Sequence, residues 1–153
     1  MSKSNLSSIA QSLIADGRGI LAADESTATI TKRFEAIDVE STEENRRSYR
    51  ELLFTTPGIG EFVSGAILYD ETIRQAAKDG TPFLDVMAQQ NIHPGIKVDA
   101  GAKPLAGSPE ETVTEGLDGL RERIAEYYGL GARFAKWRAV IKIGDLIPTP
   151  YCI

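Results

Sequence analysis

The sequence has 153 residues and a formal net charge of −5, with 42% hydrophobic and 25% charged residues. This length corresponds to about one globular domain, and the composition excludes a disordered, collagen-like or disulfide-rich chain. The acidic balance argues against general binding to nucleic acids or anionic membranes, because either needs a basic face. One cysteine, Cys152, excludes an internal disulfide, and no apolar run is long enough for a membrane helix, so we predict a cytoplasmic protein.

Short apolar segments alternate with longer amphipathic segments along the chain. The first half is predicted to contain a strand over residues 19–24, a helix from a capping box at 41–44 to a stop near 55–58, and a strand over 62–69. The second half is predicted to contain short helices over 71–78 and 82–89, a strand over 96–99, a helix ending near 128, and a strand over 134–143.

Two positions compete for the start of the last predicted helix. Ser108, Pro109 and Glu111 have the residue types of an N-cap, a first helical position and a third helical position. Gly116 and Gly119 each weaken a helix by about 1 kcal/mol relative to alanine. The start is therefore predicted either at residue 108 or nearer to Gly119.

Strands separated by helices predict βα units and a parallel sheet. The charged residues of these strands have an unusual placement, because buried parallel strands are normally apolar throughout. By the two-residue period of a strand, Asp24 ends a face of the first strand, Lys97 shares a face with Asp99, and Lys136 shares a face with Arg138. Charges in such positions must pair, bind a ligand or face a wet cavity.

The strand-end charges allow a functional and a purely structural interpretation. Asp24 is either an acid/base group at the mouth of the sheet or a loop or N-cap aspartate, and Lys97 is either a ligand for an anion or the partner of Asp99. Three cations and two carboxylates at strand ends favour an enzyme that handles a phosphorylated, hydroxylated substrate. The sequence contains no P-loop, G-x-G-x-x-G or G-x-S-x-G motif, so the common nucleotide and hydrolase sites are not indicated.

Several long segments resemble one known family. They are, in chain order, G-R-G-I-L-A-A-D-E-S-T, T-E-E-N-R-R-x-Y-R, P-G-I-K-V-D-A-G, P-L-A-G, E-G-L-D-G-L and F-A-K-W-R-A-V-I-K-I-G. Their order, spacing and coverage of nearly the whole chain resemble class I fructose-bisphosphate aldolase. The resemblance implies a (β/α)8 barrel and a lyase that needs no metal or other cofactor. It also implies fructose 1,6-bisphosphate and the two triose phosphates as substrates, and a homo-oligomeric full-length protein.

The resemblance further implies roles for individual residues. In that family a lysine amine forms a Schiff base with the substrate ketone. Asp24 corresponds to the acidic residue at the scissile bond, and Lys97 and Lys136 correspond to lysines around the substrate hydroxyls. Arg138 resembles the neighbouring cation that supports this charged centre. The remaining matched residues belong to the segment that handles a substrate phosphate, with threonine replacing a common serine at position 29: Ser26, Thr29, Lys32 and Arg33.

A complete (β/α)8 barrel typically takes about 250 residues. We therefore expect residues 1–153 to form the N-terminal half of a single barrel domain with about four βα units. The family's Schiff-base lysine belongs to the sixth strand, so we expect none in this chain, and we expect the chain alone to be inactive and unstable or self-associating. The alternatives are a non-catalytic half-barrel that binds a sugar phosphate or a partner protein and, without the resemblance, a small flavodoxin-like protein.

Overall fold

The computed structural model describes the backbone of residues 3–153 and the side chains of residues 5–153. Its strands are β1 (Gly19–Ala23), β2 (Val63–Leu68), β3 (His93–Lys97), β4 (Gly101–Leu105), β5 (Ser108–Glu115) and β6 (Phe134–Lys136). Its α-helices are α1 (Lys3–Leu13), α2 (Thr27–Glu35), α3 (Glu43–Phe54), α4 (Phe83–Gln89) and α5 (Leu120–Leu130). Single 3-10 turns lie at Ala15–Gly17, Ile59–Glu61 and Thr72–Arg74.

Four of the strands form one parallel sheet in the order β1-β2-β3-β6. Strands that are neighbours in this sheet also follow one another along the chain, except that the β4–β5 hairpin comes between β3 and β6. Each connection contains at least one helix. This order is that of the first four strands of a (β/α)8 barrel, and it confirms the predicted fold class. A flavodoxin-like sheet would reverse its direction after the first strand, so that alternative is wrong.

One face of the parallel sheet carries the hydrophobic core. Leu68 of β2 and Ile96 of β3 are buried on this face, and they pack with Phe54 of α3 and Phe83 of α4. The two phenylalanine rings lie edge to face with centroids 5.4 Å apart. The opposite face carries alternate residues of the same strands, and at the carboxyl ends of β1, β3 and β6 it carries Asp24, Lys97 and Lys136.

Two strand glycines make room for an aromatic ring on this opposite face. A methyl group at Gly95 would overlap the ring of Phe134, and one at Gly65 would overlap the side chain of Leu13 at the end of α1. The missing side chains therefore allow β6 to place Phe134 against its neighbours in the sheet.

Four predictions of secondary structure differ from the observed elements, the first being the strand expected over 96–99, which runs over His93–Lys97. Residues 108–115 form β5, which pairs antiparallel with β4, so Ser108 does not begin a helix. The helix α5 begins at Leu120, directly after Gly119 in a left-handed conformation (φ 62°), which is the later of the two predicted starts. The segment 71–78 contains only one 3-10 turn. The last strand ends at Lys136, because β3 ends at Lys97 opposite it and the chain there turns into the β4–β5 hairpin.

The amino-terminal signals of α3 were recognised, with a shift of one residue. Thr42 is the N-cap, and its side-chain oxygen accepts a hydrogen bond from the backbone N–H of Asn45 at 3.1 Å. Helices α1 and α2 were not predicted. His93, expected in a turn, begins β3, and its Nε2 lies 2.8 Å from the hydroxyl of Ser12 in α1.

Candidate active site

A polar cavity of about 380 Å³ lies at the carboxyl ends of the parallel strands. In parallel α/β folds this is the edge where active sites occur. The residues around it come from the ends of β1, β2, β3 and β6, from α2 and from the start of β4: Ala22, Asp24, Glu25, Ser26, Thr29, Arg33, Tyr69, Lys97, Asp99, Ala100, Gly101, Lys136 and Arg138. A more apolar groove of about 450 Å³ between α5 and β6 includes none of the predicted site residues.

Asp24 and Lys136 form an ion pair across this cavity. Asp24 follows β1, Lys136 ends β6, and the lysine Nζ donates to Asp24 Oδ2 at 2.6 Å. Their side chains are 12% and 28% exposed, so the pair is largely enclosed but remains open to the cavity. This geometry allows a proton to move between the two groups or from either group to a bound substrate.

Lys97 and Asp99 form a second ion pair at the end of β3. Lys97 Nζ donates to Asp99 Oδ1 at 2.8 Å, and the backbone N–H groups of Gly101 and Arg138 donate to the same carboxylate at 3.1 and 3.3 Å. Burial alone would raise the pKa of Asp99, but the hydrogen bond and charge of Lys97 and the two N–H donors outweigh it and lower the pKa. The ion pair of the structural interpretation is therefore present, and because Lys97 also faces the cavity, its role as a ligand for an anion stays a prediction.

The start of α2 brings hydroxyl groups and a guanidinium to the cavity edge. Ser26 is the N-cap of this helix, and its hydroxyl lies 3.2 Å from that of Thr29. Arg33 lies one turn further along and forms an ion pair with Glu25. Residues spaced three and four apart lie on one face of a helix, which explains why these side chains meet.

The structure brings all but one of the predicted site residues to the same cavity. Arg138 follows β6, lies at the cavity and is exposed. Lys32 precedes Arg33 on α2, is exposed and does not line the cavity. A change of one position on a helix rotates a side chain by about 100°, so Lys32 points to a different side of α2 from Arg33.

Two charged residues of this region were not predicted from the sequence. Glu25 lines the cavity beside Asp24, and Arg50 is buried directly behind it. A signal for Arg50 is present in the sequence, because it lies four residues before the buried Phe54 and hence on the apolar face of α3. A charged residue on the core face of a helix indicates a specific partner.

Residues 3–153 contain neither a metal-binding cluster nor a membrane-spanning helix. No group of three histidine, cysteine, aspartate or glutamate side chains in the described part of the chain is arranged to hold a metal ion. Among these same residues, no helix is long and apolar enough to cross a membrane.

Comparison with known proteins identifies the family. The sequence profile of fructose-bisphosphate aldolase class-I matches residues 5–153. A probable class 1 fructose-bisphosphate aldolase of Xanthomonas campestris pv. campestris is 64% identical over the whole chain, and the cytoplasmic isozyme of Spinacia oleracea is 59% identical over 90% of it. The structure of Plasmodium falciparum fructose-bisphosphate aldolase in complex with TRAP and a small-molecule inhibitor superimposes with a TM-score of 0.92 over 96% of the chain, at 53% identity.

The coverage of these relatives is partial. The chain spans 46% of the Xanthomonas protein, 38% of the spinach isozyme and 42% of the Plasmodium chain. It thus corresponds to somewhat less than half of each relative. The profile match over nearly all residues, the sequence identity and the shared fold lead to one conclusion: the chain belongs to the class I fructose-bisphosphate aldolase family.

Proposed function

We propose that this chain forms part of the active site of a Schiff-base aldolase. The full-length protein reversibly cleaves fructose 1,6-bisphosphate into dihydroxyacetone phosphate and glyceraldehyde 3-phosphate. The observation that carries this proposal is the Asp24–Lys136 pair, 2.6 Å apart inside a cavity with further cations at its edge. A carbon–carbon cleavage of this kind needs proton transfer at a hydroxyl and positive charge near the phosphates, and both are available there.

The charged pairs support distinct roles in this reaction. Asp24 acts as the acid/base group at the bond that breaks, and Lys136 assists the carbinolamine chemistry beside it. Lys97 binds substrate hydroxyls, and Arg138 supports the charged centre from the end of β6. The phosphate-handling group is proposed to comprise Ser26, Thr29, Lys32 and Arg33, of which all except Lys32 line the cavity.

The Schiff-base lysine is proposed to lie outside these 153 residues. Both cavity lysines donate hydrogen bonds to carboxylates, Lys97 to Asp99 and Lys136 to Asp24. Because the chain forms four parallel strands and spans 38–46% of the length of its relatives, we assign residues 1–153 to the N-terminal half of a single barrel domain. The chain alone is expected to lack aldolase activity, because the covalent step needs a lysine from the other half.

A lysine substitution tests the proposed function directly. In the full-length protein, Lys136→Ala should lower the rate of fructose 1,6-bisphosphate cleavage by roughly 100-fold or more, as expected for loss of a group that acts in proton transfer. Lys142→Ala is the matched control, because Lys142 is exposed and its contact with the exposed Glu110 is long, at 3.6 Å. A coupled assay of triose phosphate release measures both variants.

The outcomes of this assay separate the candidate functions. Equal activity of Lys136→Ala and Lys142→Ala would remove Lys136 from the mechanism. Binding of fructose 1,6-bisphosphate by the unaltered full-length protein, without any cleavage, would instead support a non-catalytic sugar-phosphate-binding module. We further propose that the full-length protein is a homo-oligomer in the cytoplasm. The acidic composition of residues 1–153 supports the proposal that it binds neither nucleic acid nor a membrane.

A further inference from the structure

A buried cation lies immediately behind the candidate active site. Arg50 of α3 is 2% exposed, although a charged group in the interior of a protein loses its hydration and must be compensated. It does not line the cavity. The compensation comes from the loop that follows β1, which carries Asp24.

The guanidinium of Arg50 holds both the side chain and the main chain of Glu25. Arg50 Nη1 lies 2.6 Å from Glu25 Oε2, and Nη2 donates to the backbone oxygen of Glu25 at 3.1 Å. Its Nε donates to the hydroxyl of Thr72 at 3.4 Å, and the ring of Tyr49 lies 5.1 Å from the guanidinium carbon. The planar fork of arginine makes these contacts in different directions at once, which a lysine ammonium on a single stem does not reproduce.

Glu25 transmits this restraint to the cavity in two directions. Along the chain it is the residue next to Asp24, whose carboxylate must stay within reach of Lys136. Through its side chain it bridges two cations, since Oε2 contacts the buried Arg50 and Oε1 pairs with Arg33 at the cavity edge. Arg33 is 56% exposed and Glu25 8%, so the bridge runs from the interior to the solvent-exposed edge of the site.

A second ion pair on α3 shows what a purely structural arginine looks like in this protein. Arg46 contacts Glu71 with two nitrogens, at 2.9 and 2.6 Å, and donates to the backbone oxygen of Ser41. Neither Arg46 nor Glu71 lines the cavity. The two arginines thus lie on the same helix and each pairs with a glutamate, but only Glu25, the partner of Arg50, lines the cavity.

We propose that Arg50 is a positioning residue for the proposed aldolase reaction. It fixes Glu25 and thereby the orientation of Asp24 and Arg33, without touching the substrate itself. This inference rests on the proposed function, because it predicts an effect on the cleavage of a phosphorylated substrate. A misplacement of reacting groups by about 1 Å can lower a rate by roughly 100-fold, so a residue behind the site can matter as much as one inside it.

The test compares Arg50→Met with Arg46→Met in the full-length protein. We expect Arg50→Met to lower kcat/KM for fructose 1,6-bisphosphate by roughly 10- to 100-fold, and Arg46→Met to change it by less than about 3-fold. The thermal unfolding midpoint of each variant is measured alongside. Arg50→Lys keeps the charge but loses the fork, and it should restore part of the activity.

A double-mutant cycle with Arg33→Met separates positioning from a general structural role. Because Arg50 and Arg33 act through the same carboxylate, the loss in the double variant should be clearly smaller than the product of the two single losses. Multiplicative losses, or equal activities of Arg50→Met and Arg46→Met, would overturn the inference while leaving the proposed function intact. If Arg50→Met does not fold, Arg50→Lys takes its place in the cycle. Full activity of Arg50→Lys, together with no coupling between it and Arg33→Met, would then overturn the inference. Absence of cleavage by the unaltered protein would overturn both proposals.

Discussion

Lys136 Nζ lies 2.6 Å from Asp24 Oδ2, although the two residues are 112 positions apart in the sequence. Both are placed by strand ends, Asp24 immediately after β1 and Lys136 at the last position of β6. These two strands are the outermost strands of the parallel sheet. The curvature of the sheet therefore brings its two edges close enough for side chains to meet over the strands between them.

This pair leads to a prediction for Asp24. Asp24→Asn keeps the size of the side chain but removes the negative charge and the proton-accepting group. We expect cleavage of fructose 1,6-bisphosphate by the full-length protein to fall by roughly 100- to 10,000-fold. Asp118→Asn, at an exposed position before α5, serves as the control in the same coupled assay. Retention of more than a tenth of the activity in Asp24→Asn would contradict the acid/base role.

Arg138 is predicted to contribute to substrate binding. Its side chain is exposed at the cavity, and loss of one charge-assisted hydrogen bond to a phosphorylated substrate costs about 1.5–3 kcal/mol. In the full-length protein, Arg138→Ala should reduce kcat/KM for fructose 1,6-bisphosphate by an amount that corresponds to this free energy. Arg121→Ala on the exposed surface of α5 should leave kcat/KM unchanged. Steady-state kinetics at several ionic strengths check this prediction, because the effect of a charge contact weakens as salt is added. A kinetic profile that is the same in both variants would count against the role of Arg138.

Glu111 of β5 predicts a dependence of stability on pH. This carboxylate is buried, and it accepts hydrogen bonds from the hydroxyl of Ser108 at 2.6 Å and from the backbone and hydroxyl of Thr149, both at 2.7 Å. These donors lower the pKa of Glu111 from 4.5 to about 2. Because the folded-state pKa is lowered, the stabilisation is complete above pH 4.5 and is lost as the pH falls toward 2.

The measurement is the free energy of unfolding of the full-length protein in urea at pH 7 and pH 3. Glu111→Gln should lower it at pH 7 and should flatten its decline toward pH 3. Glu110→Gln is the matched control, since this neighbouring glutamate is exposed and has only a distant contact with Lys142. Equal pH profiles for the two variants would show that the hydrogen bonds of Glu111 do not contribute.

Two glycines are predicted to respond to alanine in opposite directions. A methyl group at Gly60 would overlap the carbonyl oxygen of Gln90, and a backbone atom cannot move aside as a side chain can, so we expect a destabilisation of about 1–3 kcal/mol. Gly129 lies within α5 with open space at the Cβ position, and alanine there should stabilise by about 0.5–1 kcal/mol. Urea unfolding of both variants of the full-length protein gives the sign of each effect, and a stabilising Gly60→Ala would contradict the contact.

The local elements were predictable where one residue type dominated. The apolar runs at β1 and β2 were recognised to within one residue at each end, and the capping signals of α3 to within one residue. The predictions failed where local and tertiary preferences compete. Ser108, Pro109 and Glu111 have the residue types of a helix start, but the hydroxyl of Ser108 donates to Glu111 and the segment pairs with β4 instead.

The sequence by itself determined that charged groups end several strands and that they lie on one face, because the two-residue period of a strand follows from the backbone alone. Only the tertiary structure decided which charges meet. Lys97 pairs with its near neighbour Asp99, while Lys136 pairs with Asp24 from the far end of the sheet. Arg50 reaches Glu25 from helix α3, and the two-residue period of the strands carries no information about the contacts of a helix. The physical reason is that a parallel sheet gathers its carboxyl ends at one edge, where distance along the chain no longer matters and each charge is drawn to an opposite charge within a few ångströms.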